Sequence, residues 1–274
     1  MKKTSSTITR SNQKSRPKLN TYPASDFKTA HTAIIYGKSG SGKTTLAASF
    51  PKPILLVNIQ DNGIGSVRKV EKLDVVDVAT YEELEEVYSA LADGEYKYKT
   101  VIIDTITQLQ QIIVQEKLGT GDGRTKRVSF GTLKRQDWGD IAALVKTILT
   151  DFRNLANDAG INIVFLAQER LFNSGEDDDA SGIDPHFGPD VSPSIKNTIC
   201  AAVNIVANCY IDQTLVKKEV DGKKKVTRRL DYCLGLGPSA TYIRKVRSDK
   251  ELIVPDCITD PDYEKLINAI EGED

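Results

Sequence analysis

Eight consecutive residues, Gly37-Lys38-Ser39-Gly40-Ser41-Gly42-Lys43-Thr44, satisfy the phosphate-loop pattern G-x-x-x-x-G-K-[ST] at every fixed position. Glycines at these spacings let backbone N–H groups turn toward phosphate oxygens, and the helix that follows adds the positive end of its dipole. Lys43 is placed to reach the β- and γ-phosphates, the Thr44 hydroxyl to ligate Mg²⁺, and Thr45 to continue the phosphate contacts. The expected ligands are therefore ATP and Mg²⁺. A loop that binds nucleotide without hydrolysing it is the simpler alternative.

Such a site needs a carboxylate beside the phosphates, because Mg²⁺ prefers hard oxygen ligands. Thr100-Val101-Ile102-Ile103-Asp104 supplies one: its apolar run suits a central parallel strand and leaves Asp104 at the carboxyl end, where open α/β sheets bind ligands. The elements that must hold these groups are legible nearby. Thr32–Tyr36 is a β-prone run leading into the loop, and Thr44–Phe50 reads as a helix ended by Pro51. Pro53–Asn58 and Leu73–Val78 read as strands, Tyr81–Ala92 as a helix, and a further helix begins near Thr105, which Asp104 could instead merely cap. At least one strand separates the loop strand from the Asp104 strand in sequence, which favours the RecA and AAA-like branch of phosphate-loop proteins over nucleotide kinases and small GTPases.

The chain has 274 residues, 39% of them hydrophobic, enough for one large core. Its apolar runs are too short to span a bilayer and show no signal-peptide core, so a cytoplasmic protein with no membrane partner is expected. Cys200, Cys209, Cys233 and Cys257 form no C-x-x-C pair, and His31 and His186 have no ligand-like neighbours in sequence, which argues against a zinc site. The net charge of −1 conceals an asymmetry. Residues 1–28 form a basic, Ser/Thr-rich arm, 29–250 the catalytic core, and 251–274 an acidic end.

Tyr36-Gly37 before the loop, Thr44-Thr45-Leu46-Ala47 with Phe50-Pro51 after it, and Val101–Thr105 resemble the phage-encoded phosphate-loop ATPases related to RecA, including the Sak-four type of single-strand annealing protein. The resemblance covers residues 30 to 250 and implies a RecA-like α/β core with a mainly parallel central sheet and a C-terminal antiparallel β extension. It also implies single-stranded DNA as partner, a homo-oligomeric ring or filament, a single-stranded-DNA-binding protein as a further partner, and the host cytoplasm as location if the chain is phage-encoded. RecA-like proteins place a water-activating glutamate after the strand that follows the loop helix; Gln60 takes that place here, with Asp61 the nearest acid. Gln can orient a water but cannot accept its proton, so fast hydrolysis is not expected from Gln60. Gln168, ending the strand-like Ile161–Ala167, matches the γ-phosphate sensor, and an ordinary polar strand end would look the same.

The same template puts nucleic-acid loops after these two strands. Lys117–Arg135 fits, with Gly119, Gly121 and Gly123 for flexibility, Arg124, Lys126, Arg127, Lys134 and Arg135 for phosphates, and Phe130 and Trp138 for stacking. Residues 174–182 fit poorly, because Glu176-Asp177-Asp178-Asp179 would repel a phosphate backbone. Thr214–Cys233 reads as a hairpin about Asp221-Gly222, rich in Lys and Arg and thus a rival DNA surface, although lysines also protect edge strands. In Tyr242–Arg247, read as a strand, Lys245 and Arg247 share a face and match the Lys-x-Arg pair that reaches a neighbouring subunit's γ-phosphate in assembled relatives. Two other classes remain open: a positioning ATPase, suggested by Lys38 but not by the residues after Asp104, and a nucleotide-gated adaptor, suggested by Gln60 and the acidic loop.

Overall fold

A computed structural model describes residues 30–60, 63–118, 133–173, 185–220, 223–248 and 253–272. Its spine is a nine-stranded sheet in the order β11-β9-β8-β1-β5-β4-β2-β3, with β10 pairing on β8. Six neighbouring strands are parallel: β8 (Ile205–Val220), β1 (Thr32–Gly37), β5 (Asn162–Ala167), β4 (Thr100–Asp104), β2 (Ile54–Ile59) and β3 (Leu73–Val78). β9 (Lys223–Gly235) and β10 (Lys245–Val246) pair antiparallel with β8, and β11 (Cys257–Thr259) antiparallel with β9. This is the expected α/β architecture, a RecA-like phosphate-loop core with an antiparallel extension. The loop strand β1 and the Asp104 strand β4 are separated by β5, so the two ligand-bearing ends stand one strand apart at the carboxyl edge.

Every residue of β1, β2, β4 and β5 is buried, because helices cover both sheet faces. On one face Ile34, Val57, Ile103 and Phe165 pack with α2 (Tyr81–Ala92), α3 (Ile106–Lys117), α4 (Arg135–Asp158) and α5 (Pro193–Ala202). The alternate residues Ile35, Leu56, Ile102 and Val164 pack with α1 (Lys43–Ala47) and α6 (Tyr263–Glu271). Local chemistry sets the helix starts: Thr80 and Glu83 form a capping box, and the Thr105 hydroxyl accepts from Gln108 N at 3.2 Å. A short β6–β7 ribbon, Glu169–Phe172 with His186–Pro189, continues from the end of β5.

Three elements differ from their sequence expectation. α1 ends at Ala47, and Ser49 N and Phe50 N then donate to Leu46 O and Ala47 O in a tighter turn; a residue preceding proline is driven out of helical geometry, which closes the helix before Pro51. The hairpin is longer than Thr214–Cys233, because β8 begins as an interior parallel strand against β1 before pairing with β9 from Asn208 onward. Val220 pairs with Lys223, and the expected turn at Asp221-Gly222 lies outside the described residues. The strand expected at Tyr242–Arg247 shrinks to Lys245–Val246, since Ile243 N donates to Phe187 O and the Tyr242 ring stacks on Phe187 instead of joining the sheet.

The acidic end of the chain is built into the core. β11 pairs with β9, Asp262 caps α6 through Lys265 N at 2.8 Å, and Leu266 is fully buried beside α1. Tyr263 N donates to Ser49 Oγ at 2.8 Å and its ring packs 4.8 Å from Phe50. Leu266→Ala should therefore destabilise the whole domain by about 2–5 kcal/mol, the range for a fully buried leucine; equilibrium denaturation of wild type and variant measures it, and a change below about 0.5 kcal/mol would contradict the packing.

Candidate functional site

The phosphate loop is held open by contacts that demand its residue types. Gly37 has φ 153°, and a Cβ there would stand 2.2 Å from Cys209 O on β8, an impossible approach for any side chain. Gly40 and Gly42 adopt positive φ, 78° and 92°, which turns the backbone between β1 and α1. Lys43 is buried and folds back over the loop, donating from Nζ to Gly37 O at 2.8 Å and Lys38 O at 3.0 Å. Ser41 Oγ is buried with no protein partner, a polar atom that an incoming phosphate oxygen would satisfy.

Thr44 and Asp104 meet across the strand gap. The Thr44 hydroxyl donates to Asp104 Oδ2 at 3.0 Å, and Asp104 is only 2% exposed. A Cβ on Gly63 would lie 3.3 Å from Asp104 Oδ2 and 3.5 Å from Thr44 Oγ1, so the absence of a side chain there leaves room beside both oxygens. Among the described residues no three His, Cys, Asp or Glu side chains converge on a metal position. One hydroxyl and one carboxylate suit Mg²⁺, which keeps waters and takes its remaining ligands from phosphates. Glycines, Lys43, Thr44, Thr45, Asp104 and Gln168 line one cleft of about 770 Å³. That volume holds a whole nucleotide.

The other predicted residues fall in different places. Gln60 is exposed at the carboxyl end of β2 with φ 49°, and Asp61 lies outside the described residues. Gln168 sits at the end of β5 on the cleft, its backbone N donating to Thr107 Oγ1 at 3.1 Å and its carbonyl accepting from Asp190 N at 2.8 Å. Lys38 and Ser39 are exposed on the loop. Arg124, Lys126, Arg127 and Phe130 lie outside the described residues, as does the acidic loop 174–182; Lys134 and Arg135 are exposed at the start of α4, three residues before exposed Trp138. Lys245 Nζ donates to Cys200 O and Ala201 O at 2.7 and 2.8 Å, and Arg247 to Ala201 O at 2.8 Å, so within one chain this pair grips the end of α5. Burial, reinforced by Arg247, lowers the Lys245 pKa.

Two features were missed in the sequence. Glu169, beside Gln168, has its carboxyl pKa raised by burial, with Lys38 and Lys43 opposing that rise, which places it electrostatically within reach of the phosphate site. Its signal was adjacency to Gln168, overlooked because the acid was sought after β2. Tyr232 on β9 and the Asp260-Pro261-Asp262 turn also line the cleft, brought there by pairing that no local motif announces.

A family model of the AAA domain, AAA_24, matches residues 29–247. The chain belongs to this AAA domain family. Its members share the phosphate-loop ATPase core, which agrees with the site built above. The crystal structure of a KaiC-like protein from the hyperthermophilic archaeon Pyrococcus horikoshii is also similar, with 14% identity and a TM-score of 0.42 over 86% of this chain and 91% of that one. No curated protein matches the sequence.

If Lys43, Thr44 and Asp104 form the site, Lys43→Ala should abolish tight MgATP binding while leaving the unliganded fold intact, and Asp104→Asn should weaken Mg²⁺-dependent binding more than metal-free binding. Calorimetric titration with and without the metal reads both, and an unchanged MgATP affinity in Lys43→Ala would sink the assignment.

Proposed function

We propose that this AAA-domain protein is a Mg²⁺-dependent ATPase that assembles on single-stranded DNA and serves recombination or annealing. The observation that carries the nucleotide half is the Thr44–Asp104 pair beside the loop lysine, in a cleft of nucleotide size. The DNA half is supported by the composition of the stretch 117–135, basic and glycine-bearing, and by the resemblance to annealing proteins.

In this reading Lys43 leaves its carbonyl partners for the phosphates and neutralises charge that builds on the γ-phosphoryl oxygens. Thr44 and Asp104 would hold Mg²⁺, which when bound would supply further charge neutralisation. Water must lose a proton to a carboxylate; Glu169 is our candidate, since burial raises its carboxyl pKa against the opposing charges of Lys38 and Lys43, while Gln60 has no basic oxygen. Gln168 orients the water or reads the γ-phosphate. Lys245 and Arg247 exchange the α5 carbonyls for a neighbouring subunit's phosphate when the protein assembles, which makes turnover depend on assembly.

Glu169→Gln should lower turnover about 10²-fold with ATP affinity retained, the scale of a lost general base, and Asp61→Asn should do less. Because the Glu169 carboxyl has a raised pKa, it is protonated as pH falls through that value, so wild-type activity should decline on the acid side at a higher pH than an ordinary glutamate would give. Steady-state rates across pH measure both, and the reverse ranking of the two variants would return the base to Asp61.

Single-stranded DNA should raise turnover, more steeply than linearly with protein concentration. Replacing Arg124, Lys126 and Arg127 by Ala should weaken DNA binding and flatten its salt dependence, because fewer counterions are released. Fluorescence anisotropy across salt reads this; no affinity for single strands in the intact protein at low salt would overturn the DNA assignment.

A further inference from the structure

The cleft is chemically two-ended. At one end stand Lys43, Thr44, Asp104 and Gln168, with Gly63 leaving space between them. At the other stand Tyr232, Asp260, Pro261 and Asp262. A triphosphate alone would not fill about 770 Å³, and carboxylates would repel it from the second end. We infer that Tyr232 and the Asp260–Asp262 turn form the nucleoside subsite, with the base stacked on the Tyr232 ring and its sugar or exocyclic amine hydrogen-bonded to Asp260. This rests on the reading that the cleft holds a nucleoside triphosphate.

Three observations carry it. The Tyr232 ring overhangs the loop: a Cβ on Gly42 would lie 3.3 Å from Tyr232 Cδ1, while the residue remains 44% exposed, so a flat aromatic face adjoins the phosphate loop with open space beside it. The turn is fixed to the tyrosine, because Asp260 N donates to Tyr232 O at 2.7 Å. The turn is also fixed in itself: Lys265 Nζ donates to Asp260 O at 2.7 Å, Asp262 caps α6, and Asp260 holds φ 47°, a left-handed conformation that aspartate tolerates better than most residues. Asp262 spends its carboxylate on the cap, which leaves Asp260 as the acceptor facing the ligand. Exposed tyrosines in a hairpin are ordinarily solvent-facing strand residues; the pinned turn and the adjacent loop distinguish this one.

Calorimetry on the full-length protein tests this with MgATP, MgdATP and Mg-tripolyphosphate. Tyr232→Ala should weaken MgATP about tenfold or more, as loss of one stacking contact does, with tripolyphosphate affinity unchanged, and Tyr232→Phe should bind like wild type. Asp260→Asn should narrow any preference of ATP over dATP or over tripolyphosphate. Unchanged tripolyphosphate binding also certifies that each variant is folded. If Tyr232→Ala binds MgATP as wild type does, or loses both ligands equally, the subsite is wrong while the nucleotide assignment stands. If wild type binds neither ligand, the nucleotide assignment itself fails.

Discussion

The arrangement depends on a buried carboxylate meeting a hydroxyl across a one-strand gap. Asp104 is nearly inaccessible, and a carboxylate in such a place is costly unless charge or hydrogen bonds compensate it. Thr44 provides one hydrogen bond, and a divalent cation would provide the charge. Everything around the pair serves to keep it in place: β5 spaces β1 from β4, the close approach of Cys209 O forces glycine at position 37, and Gly63 keeps the volume beside the oxygens empty.

Around this pair the chain closes on itself from its far end. β8 enters the sheet beside β1, turns outward as a hairpin, and returns as β9, on which β11 and α6 build. Residues 257–271 thereby reach α1 and the loop, through Tyr263 on Phe50 and Leu266 in the core. The acidic composition of that end describes its solvent face; its apolar residues at helical spacing describe its role in the fold. A small α1 of five residues could not bury its inner side alone, and α6 supplies the missing wall.

Local signals were sufficient where a residue's role is fixed by its neighbours in sequence. The phosphate loop and the bounds of β3, β4 and α2 were legible because glycine spacing and strand- or helix-prone runs act over short distances. α4, which begins at Arg135 where the expected DNA loop ends, was not foreseen, although its apolar residues from Ile141 to Leu155 recur at helical spacing. Tyr232 and Asp260 join the site through β9–β11 pairing, a non-local contact that no pattern of one segment encodes. Lys245 and Arg247 were read from alternation and from the Lys-x-Arg resemblance; their contacts with Cys200 and Ala201 depend on where α5 ends, which neither a two-residue period nor a motif can reveal.

The most direct test of the metal and nucleotide site is a crystal structure of the full-length protein with Mn²⁺ and a non-hydrolysable ATP analogue, located by anomalous scattering. The account predicts one manganese peak between Thr44 Oγ1 and the Asp104 carboxylate, with the γ-phosphate against Lys43 Nζ. A nucleotide bound with its phosphates away from Lys43, or a metal peak that neither Thr44 nor Asp104 approaches directly or through one water, would contradict it.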